Sequence, residues 1–206
     1  IKAKTFFTQF HAETSFSDFI YGIRPDLKNK ELSYKECLGS FTEALKYAME
    51  NVNEKVILII DEINRANLSN VLGPIFYLFE HKMDISNVEM EIFPEFKINK
   101  LPVNFFVIAT MNTADRSLAV VDFALRRRFA WYSLKPKVIS SKQFYKDDFS
   151  KIQEIFDWYA SSNELTLQPG QDYFIADNED EMKNRIRYEI FPLIKEYLQE
   201  GLIKDA

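Results

Sequence analysis

Glycine is scarce in this chain: 5 among 206 residues, at positions 22, 39, 73, 170 and 201. None is followed by Lys-Ser or Lys-Thr, so the sequence holds no G-x-x-x-x-G-K-[ST] loop, the element that wraps phosphates in backbone amides. Cysteine is scarcer still. The single Cys37 excludes an internal disulfide and any cysteine-cluster metal site, and it fits a reducing compartment. Positive charge is in deficit, with 26 Lys and Arg against 31 Asp and Glu and a net charge of −5. The chain as a whole is therefore no electrostatic DNA binder, although a local basic patch is allowed. No apolar run reaches membrane-spanning length, and no signal peptide opens the chain. These absences together describe a soluble cytoplasmic protein with no membrane partner.

What is present is apolar mass. Hydrophobic residues make up 47% of the chain and phenylalanine alone contributes 19 positions, enough for a sizeable core. Two runs stand out as strands. Val56–Ile60 ends on the carboxylates Asp61 and Glu62, and the run from Val103 ends on the polar residues Thr110 and Asn112. Continuous apolar runs of this length suit strands covered on both faces, as in a parallel α/β sheet. A shorter strand is expected at 4–10. Gly22 and Pro25 act as breakers after it, and Ser33–Glu50 reads as a helix with Leu38, Phe41, Leu45 and Ala48 at helical spacing.

Asn67 suits the cap of a helix to about residue 81, with Leu68, Val71, Leu72, Ile75, Leu78 and Phe79 facing inward. Residues 88–101 read as a hairpin turning at Pro94, residues 118–126 as a helix, and 129–134 as a further strand. The character changes near residue 136. Beyond it, 140–160 and 178–200 are amphipathic helical stretches. The expected fold is α/β, a parallel sheet with flanking helices over 1–136 and a helical part over 137–206.

Ligands of open parallel sheets sit outside the carboxyl ends of the strands, so both polar strand ends belong on one rim. There Asp61 could hold magnesium through its water shell, since that ion favours carboxylates, waters and substrate phosphates. Glu62 could polarise an attacking water, with Asn112 on the neighbouring strand as a second orienting contact. Arg116 and the run Arg126-Arg127-Arg128 would offset charge on a transferring phosphoryl group, often from a neighbouring subunit. The same run would also suit a solvated helix end, where cations are favoured. Neither His11 nor His81 carries a catalytic role. Trp131, Tyr132, Trp158 and Tyr159 could stack on bases, with packing the default reading, and the lysines at 135, 137, 142 and 146 make a locally basic stretch that could meet DNA or merely solvate a linker.

These residues also carry a resemblance. "LIIDEINRAN", Leu58 to Asn67, resembles the Walker B segment of AAA+ proteins. "MNTADRSLAVVDFALRRRF", Met111 to Phe129, is similar to the signature of the McrB-type restriction GTPases. "TQFHAETSFSDFIYGIRP", Thr8 to Pro25, resembles another segment of that family, and "QPGQDYF" and "YEIFPLIKEYLQEG" resemble its helical lid. The resemblance implies an incomplete AAA+ P-loop NTPase core and a lid. It implies Asp61 as the magnesium-linked carboxylate and Glu62 as the base. Asn112 would fill the sensor role, and Asp115 and Arg116 would complete the signature. Arg127 and Arg128 would be the interface arginines, while Asn64 and Arg65 would link the site to a partner, with a surface ion pair an equal alternative for Arg65.

Its cofactors would be GTP and Mg2+. Its assembly would be a homo-oligomeric ring, expected to be a hexamer, with an McrC-type nuclease subunit and a DNA-reading domain that has no counterpart in this sequence. Two departures qualify the resemblance. The phosphate-binding loop is missing, which places it upstream of Ile1 and predicts a weakly binding, inactive chain on its own. Gln171 and Asp172 stand where the lid pattern has His-Ser, so Tyr173 and Phe174 are assigned to packing.

Overall fold

The computed structural model describes residues 3–26, 33–80, 89–112, 123–161 and 164–203. The chain divides into two compact units, Ile1–Trp131 and Tyr132–Ala206, so the division falls a few residues before position 136.

In the first unit β1 (Ala3–Gln9) leads to a short helix α1 (Phe16–Phe19), a strand β2 (Tyr21–Asp26), a strand β3 (Ser33–Leu38) and a helix α2 (Ser40–Glu50). Then come β4 (Lys55–Asp61), a tight turn of helix at Ile63–Arg65 and α3 (Leu68–Leu72). A 3-10 segment follows (Gly73–Phe79), then β5 (Met90–Phe93), β6 (Phe96–Ile98), β7 (Phe105–Ala109) and α4 (Phe123–Arg126). The main sheet is parallel, in the order β1-β4-β7. Its register sets Gln9 beside Asp61 and Ile60 beside Ala109, so the polar strand ends share one rim as expected.

The two sheet faces have different fates. Val56, Leu58, Ile60 and Phe105 are buried against α2, α3 and their neighbours, in a core that includes Phe10, Phe19, Phe41, Leu45, Leu72 and Ile75. Phe41 meets Phe105 edge-to-face at 5.7 Å, and Phe10 meets Phe19 at 5.1 Å. On the other face Phe7, Phe106 and Ile108 are 65%, 44% and 51% exposed, with Ile57 and Ile59 half-buried between them. Among the described residues, the expected cover on both faces is therefore corrected to close cover on one.

Other expectations are corrected too. Ser33–Leu38 is strand rather than the start of the helix, because it pairs antiparallel with Tyr21–Asp26. Gly22 and Pro25 lie within that pairing, opposite Cys37 and Tyr34, rather than breaking it. The helix starts at Ser40, after Gly39, whose amide donates to the Ile20 carbonyl at 2.8 Å. A Cβ at Gly39 would lie 2.1 Å from the Phe19 carbonyl carbon, so only glycine fits this crossing. No strand forms at 129–134. Trp131 instead donates its indole N–H to the Arg126 carbonyl at 3.0 Å, and residues 130–134 have no ladder partner among the described residues.

Asn67 does cap α3, accepting from the Asn70 amide, but Pro74 lacks an N–H and the helix tightens to 3-10 from Gly73. Leu68, Val71, Leu72, Ile75 and Leu78 are buried as expected. The 88–101 hairpin is present as β5 and β6, turning at Pro94-Glu95.

At the amino end of the sheet, buried Asn104 ties three segments together. Its amide nitrogen reaches the carbonyls of Ala48 (2.9 Å), Asn51 (3.1 Å) and Glu54 (2.9 Å), joining the end of α2 to the start of β4.

The second unit is helical: α5 (Lys146–Tyr159), α6 (Glu179–Arg185) and α7 (Phe191–Gln199). Its core gathers Phe144, Phe149, Phe174, Ala176, Met182 and Ile190, with Tyr173 packed at its edge. Asn178 caps α6 through the Glu181 amide at 2.9 Å. A wide turn at Ile186–Ile190 joins α6 to α7, absorbing Pro192, which cannot supply the amide a regular helix needs. No helix among the described residues is long and apolar enough to cross a membrane.

Candidate functional site

The carboxyl rim of the main sheet is built by the register. β4 ends at Asp61, flanked by the ends of β1 and β7. The Asp61 carboxylate accepts from both neighbours: Gln9 Nε2 at 3.1 Å on Oδ2, and Thr110 Oγ1 at 2.5 Å on Oδ1. The Thr110 hydroxyl in turn accepts the Glu62 amide at 3.2 Å. Backbone bonds lock the frame. Thr110 N–H donates to Ile60 C=O (2.9 Å), and Ile63 N–H donates to Thr110 C=O (2.9 Å).

Glu62 leaves the strand in the left-handed region, φ 55° and ψ 44°. For a residue with a Cβ this costs about 1–2 kcal/mol. The kink turns the chain into the Ile63–Arg65 turn and separates the two adjacent carboxylates. Glu62 is ion-paired with Arg65, three residues on, so that arginine engages the candidate base itself. Asn64 is buried and donates to the Asn112 carbonyl at 3.1 Å, while its own side-chain oxygen has no hydrogen-bond partner among the described residues. The turn after β4 is thus stitched to the chain after β7, which brings Asp61, Glu62 and Asn112 to one rim. Asp115 and Arg116 lie outside the described residues.

The arginine run separates into three environments. Arg126 lies over the Trp131 ring at 5.6 Å, and Arg127 is exposed. Arg128 is mostly buried, ion-paired with Glu80 and seated 5.1 Å over the Phe76 ring.

The donor set suits a weakly held magnesium ion. No group of three or more His, Cys, Asp or Glu side chains able to hold a metal occurs among the described residues. Magnesium keeps most of its waters and takes one or two carboxylates with substrate phosphates, so a single anchored aspartate fits it. Asp61 would hold it through water, using lone pairs that Gln9 and Thr110 leave unused.

Sequence reasoning assigned no role to Gln9, Thr110 or Asn104. Thr110 was visible as a polar strand end on the rim, and register supplies the rest, since a parallel pairing sets residues 9, 61 and 110 abreast.

The AAA domain family, dynein-related subfamily, matches residues 1–129. The chain belongs to this AAA family. Within it, the McrB-type resemblance is borne out. Over 131 residues this AAA chain is 43% identical to the Type IV methyl-directed restriction enzyme EcoKMcrB subunit of Escherichia coli K12, covering 62% of this chain and 28% of that protein. Over 131 residues it is also 34% identical to the Type II restriction enzyme BsuMI component YdiS of Bacillus subtilis 168, covering 57% of this chain and 38% of that one. The AAA chain thus spans well under half the length of either relative. A solved protein from Cytophaga hutchinsonii overlays at TM-score 0.41 and 14% identity, covering 75% of this chain and 39% of its own, too loosely to bear on fold or function.

Proposed function

We propose that the protein to which this AAA chain belongs is the nucleotide-hydrolysing motor subunit of a modification-dependent DNA restriction complex, with GTP as substrate. The carrying observation is the rim: two adjacent carboxylates at the carboxyl end of β4, the first clasped between β1 and β7, in an AAA core. Asp61 acts as the Walker B aspartate. Bound magnesium would neutralise charge on the transferring phosphate. Glu62 takes the proton of the attacking water, and to do so its carboxylate leaves Arg65. Asn112 orients that water.

Asp115 and Arg116 complete the signature, and Arg127 meets a neighbour's nucleotide across a ring of copies, a hexamer in this reading; Arg128 joins it there only on leaving Glu80. The relatives' roles as restriction-enzyme components support a restriction setting, hence an McrC-type nuclease as partner, DNA reached through a separate domain, and a cytoplasmic location. These 206 residues hold no phosphate-wrapping loop, so the chain alone is expected to be inactive.

GTP and ATP turnover by the longest native form, with and without its partner subunit, tests the proposal. GTP-selective turnover abolished by Glu62→Gln supports it. Turnover of ATP alone points to a remodelling ATPase. No turnover with magnesium and partner present points to a non-catalytic interaction module.

A further inference from the structure

We infer that Thr110 is a positioning residue that sets the two carboxylates of the rim as a unit. The inference rests on the hydrolase reading for its kinetic consequence, but the geometry stands without it. A hydroxyl has one proton and two lone pairs. At Thr110 the proton is given to Asp61 Oδ1 at 2.5 Å, and a lone pair accepts the Glu62 amide at 3.2 Å. One oxygen therefore fixes the side chain of the first acidic residue and the backbone of the second.

The fixed backbone is the one in the left-handed region, where a side-chain-bearing residue persists only if its surroundings hold it. The other supports are elsewhere. Gln9 grips the far oxygen of Asp61, and the Ile63 amide is held by the Thr110 carbonyl. No other bond to the Glu62 amide is present among the described residues. The hydroxyl's link to the carboxylate is charge-assisted, the stronger class of such bonds. Thr110 touches no reacting atom in this arrangement. It acts by keeping Asp61 turned toward the rim and Glu62 at the kink.

The test uses the full natural protein with its partner subunit, in wild-type, Thr110→Val, Thr110→Ser and Glu62→Gln forms. Valine keeps the shape and removes the hydroxyl, while serine keeps the hydroxyl. Two readouts are taken. The first is amide hydrogen exchange at Glu62. It is expected to accelerate at least tenfold in Thr110→Val and to stay near wild type in Thr110→Ser, with thermal midpoints of both within a few degrees. The second is steady-state nucleotide turnover. Thr110→Val should lower kcat about tenfold to a hundredfold with KM changed less than threefold, and Thr110→Ser should recover kcat to within threefold.

Unchanged exchange at Glu62 in Thr110→Val overturns the inference. So does a serine variant as impaired as the valine one, which would make the effect one of packing. If wild type and Glu62→Gln are equally inactive, the hydrolase reading fails, and the exchange data still decide the role of Thr110. A wild-type enzyme that works while Thr110→Val matches it in both kcat and exchange overturns the inference and leaves the hydrolase reading intact.

Discussion

The two ends of the main sheet spend polar side chains in opposite ways. At the amino end, Asn104 is buried and its amide group serves three backbone carbonyls, so polarity there fastens α2 to β4. At the carboxyl end, Asp61 and Glu62 stand near solvent, one clasped between neighbours and the other strained and held by Arg65. The same strands carry both arrangements. The difference separates polarity that stabilises from polarity that is held ready, and the two should answer to different measurements.

The largest expected contrast is in turnover. Glu62→Gln in the native full-length protein should lower nucleotide turnover at least about a hundredfold, the scale of a lost general base. Its thermal midpoint should hold or rise slightly, because the lost ion pair is solvent-exposed. A large fall in midpoint would erase the contrast.

Asn104→Ala should do the reverse. It removes two amide hydrogens shared among three carbonyls, one in a fully buried bond, so chemical denaturation should show a loss of about 2–4 kcal/mol with kcat per folded molecule unchanged.

The arginine pair sharpens the contrast further along the chain. Arg128→Ala breaks a half-buried pair and an aromatic seat, and it should cost about 1–3 kcal/mol of stability. Arg127→Ala should leave stability within about 0.5 kcal/mol. A fall in turnover confined to the assembled protein would then assign Arg127 to the neighbour's nucleotide.

Acid provides the smallest effect. The Ser15 hydroxyl, with help from the Ser15 amide and Arg24, holds the Asp18 carboxyl below its ordinary value against the opposing effect of burial. A depressed folded pKa stabilises above the unfolded value and is lost as pH falls through the folded one. Stability from this corner should therefore fade below about pH 4. Ser15→Ala should move acid unfolding to slightly higher pH, read by circular dichroism.

Much of this was legible in the sequence, for reasons that particular elements make plain. β4 announced itself as five apolar residues ending on two acids, and the inner face of the 68–79 segment followed from helical spacing and an asparagine cap. What failed was whatever depended on a distant partner. Ser33–Leu38 has residues compatible with a helix, and its pairing with Tyr21–Asp26 decides otherwise. The expected strand at 129–134 has suitable residues and no ladder to join.

The open sheet face was illegible for a further reason. Phe7, Phe106 and Ile108 are as apolar as their buried neighbours, and composition cannot say which side is covered. In the site, the acids were visible from their chemistry. Thr110 was visible as a polar strand end, but its bond to Asp61, and any role for Gln9, required register, which a single chain does not display.

Gly39 carries a consequence for variation. A chain with five glycines has placed one where the backbone of Phe19 and Ile20 leaves no room for any side-chain carbon. At Gly73 a Cβ meets nothing. In a library randomised at every glycine codon, position 73 should drift freely, while position 39 should return one amino acid whatever the selection, for folding or for function. Such a codon marks descent rather than activity. It would outlast loss of the carboxylates in a relative that had given up catalysis.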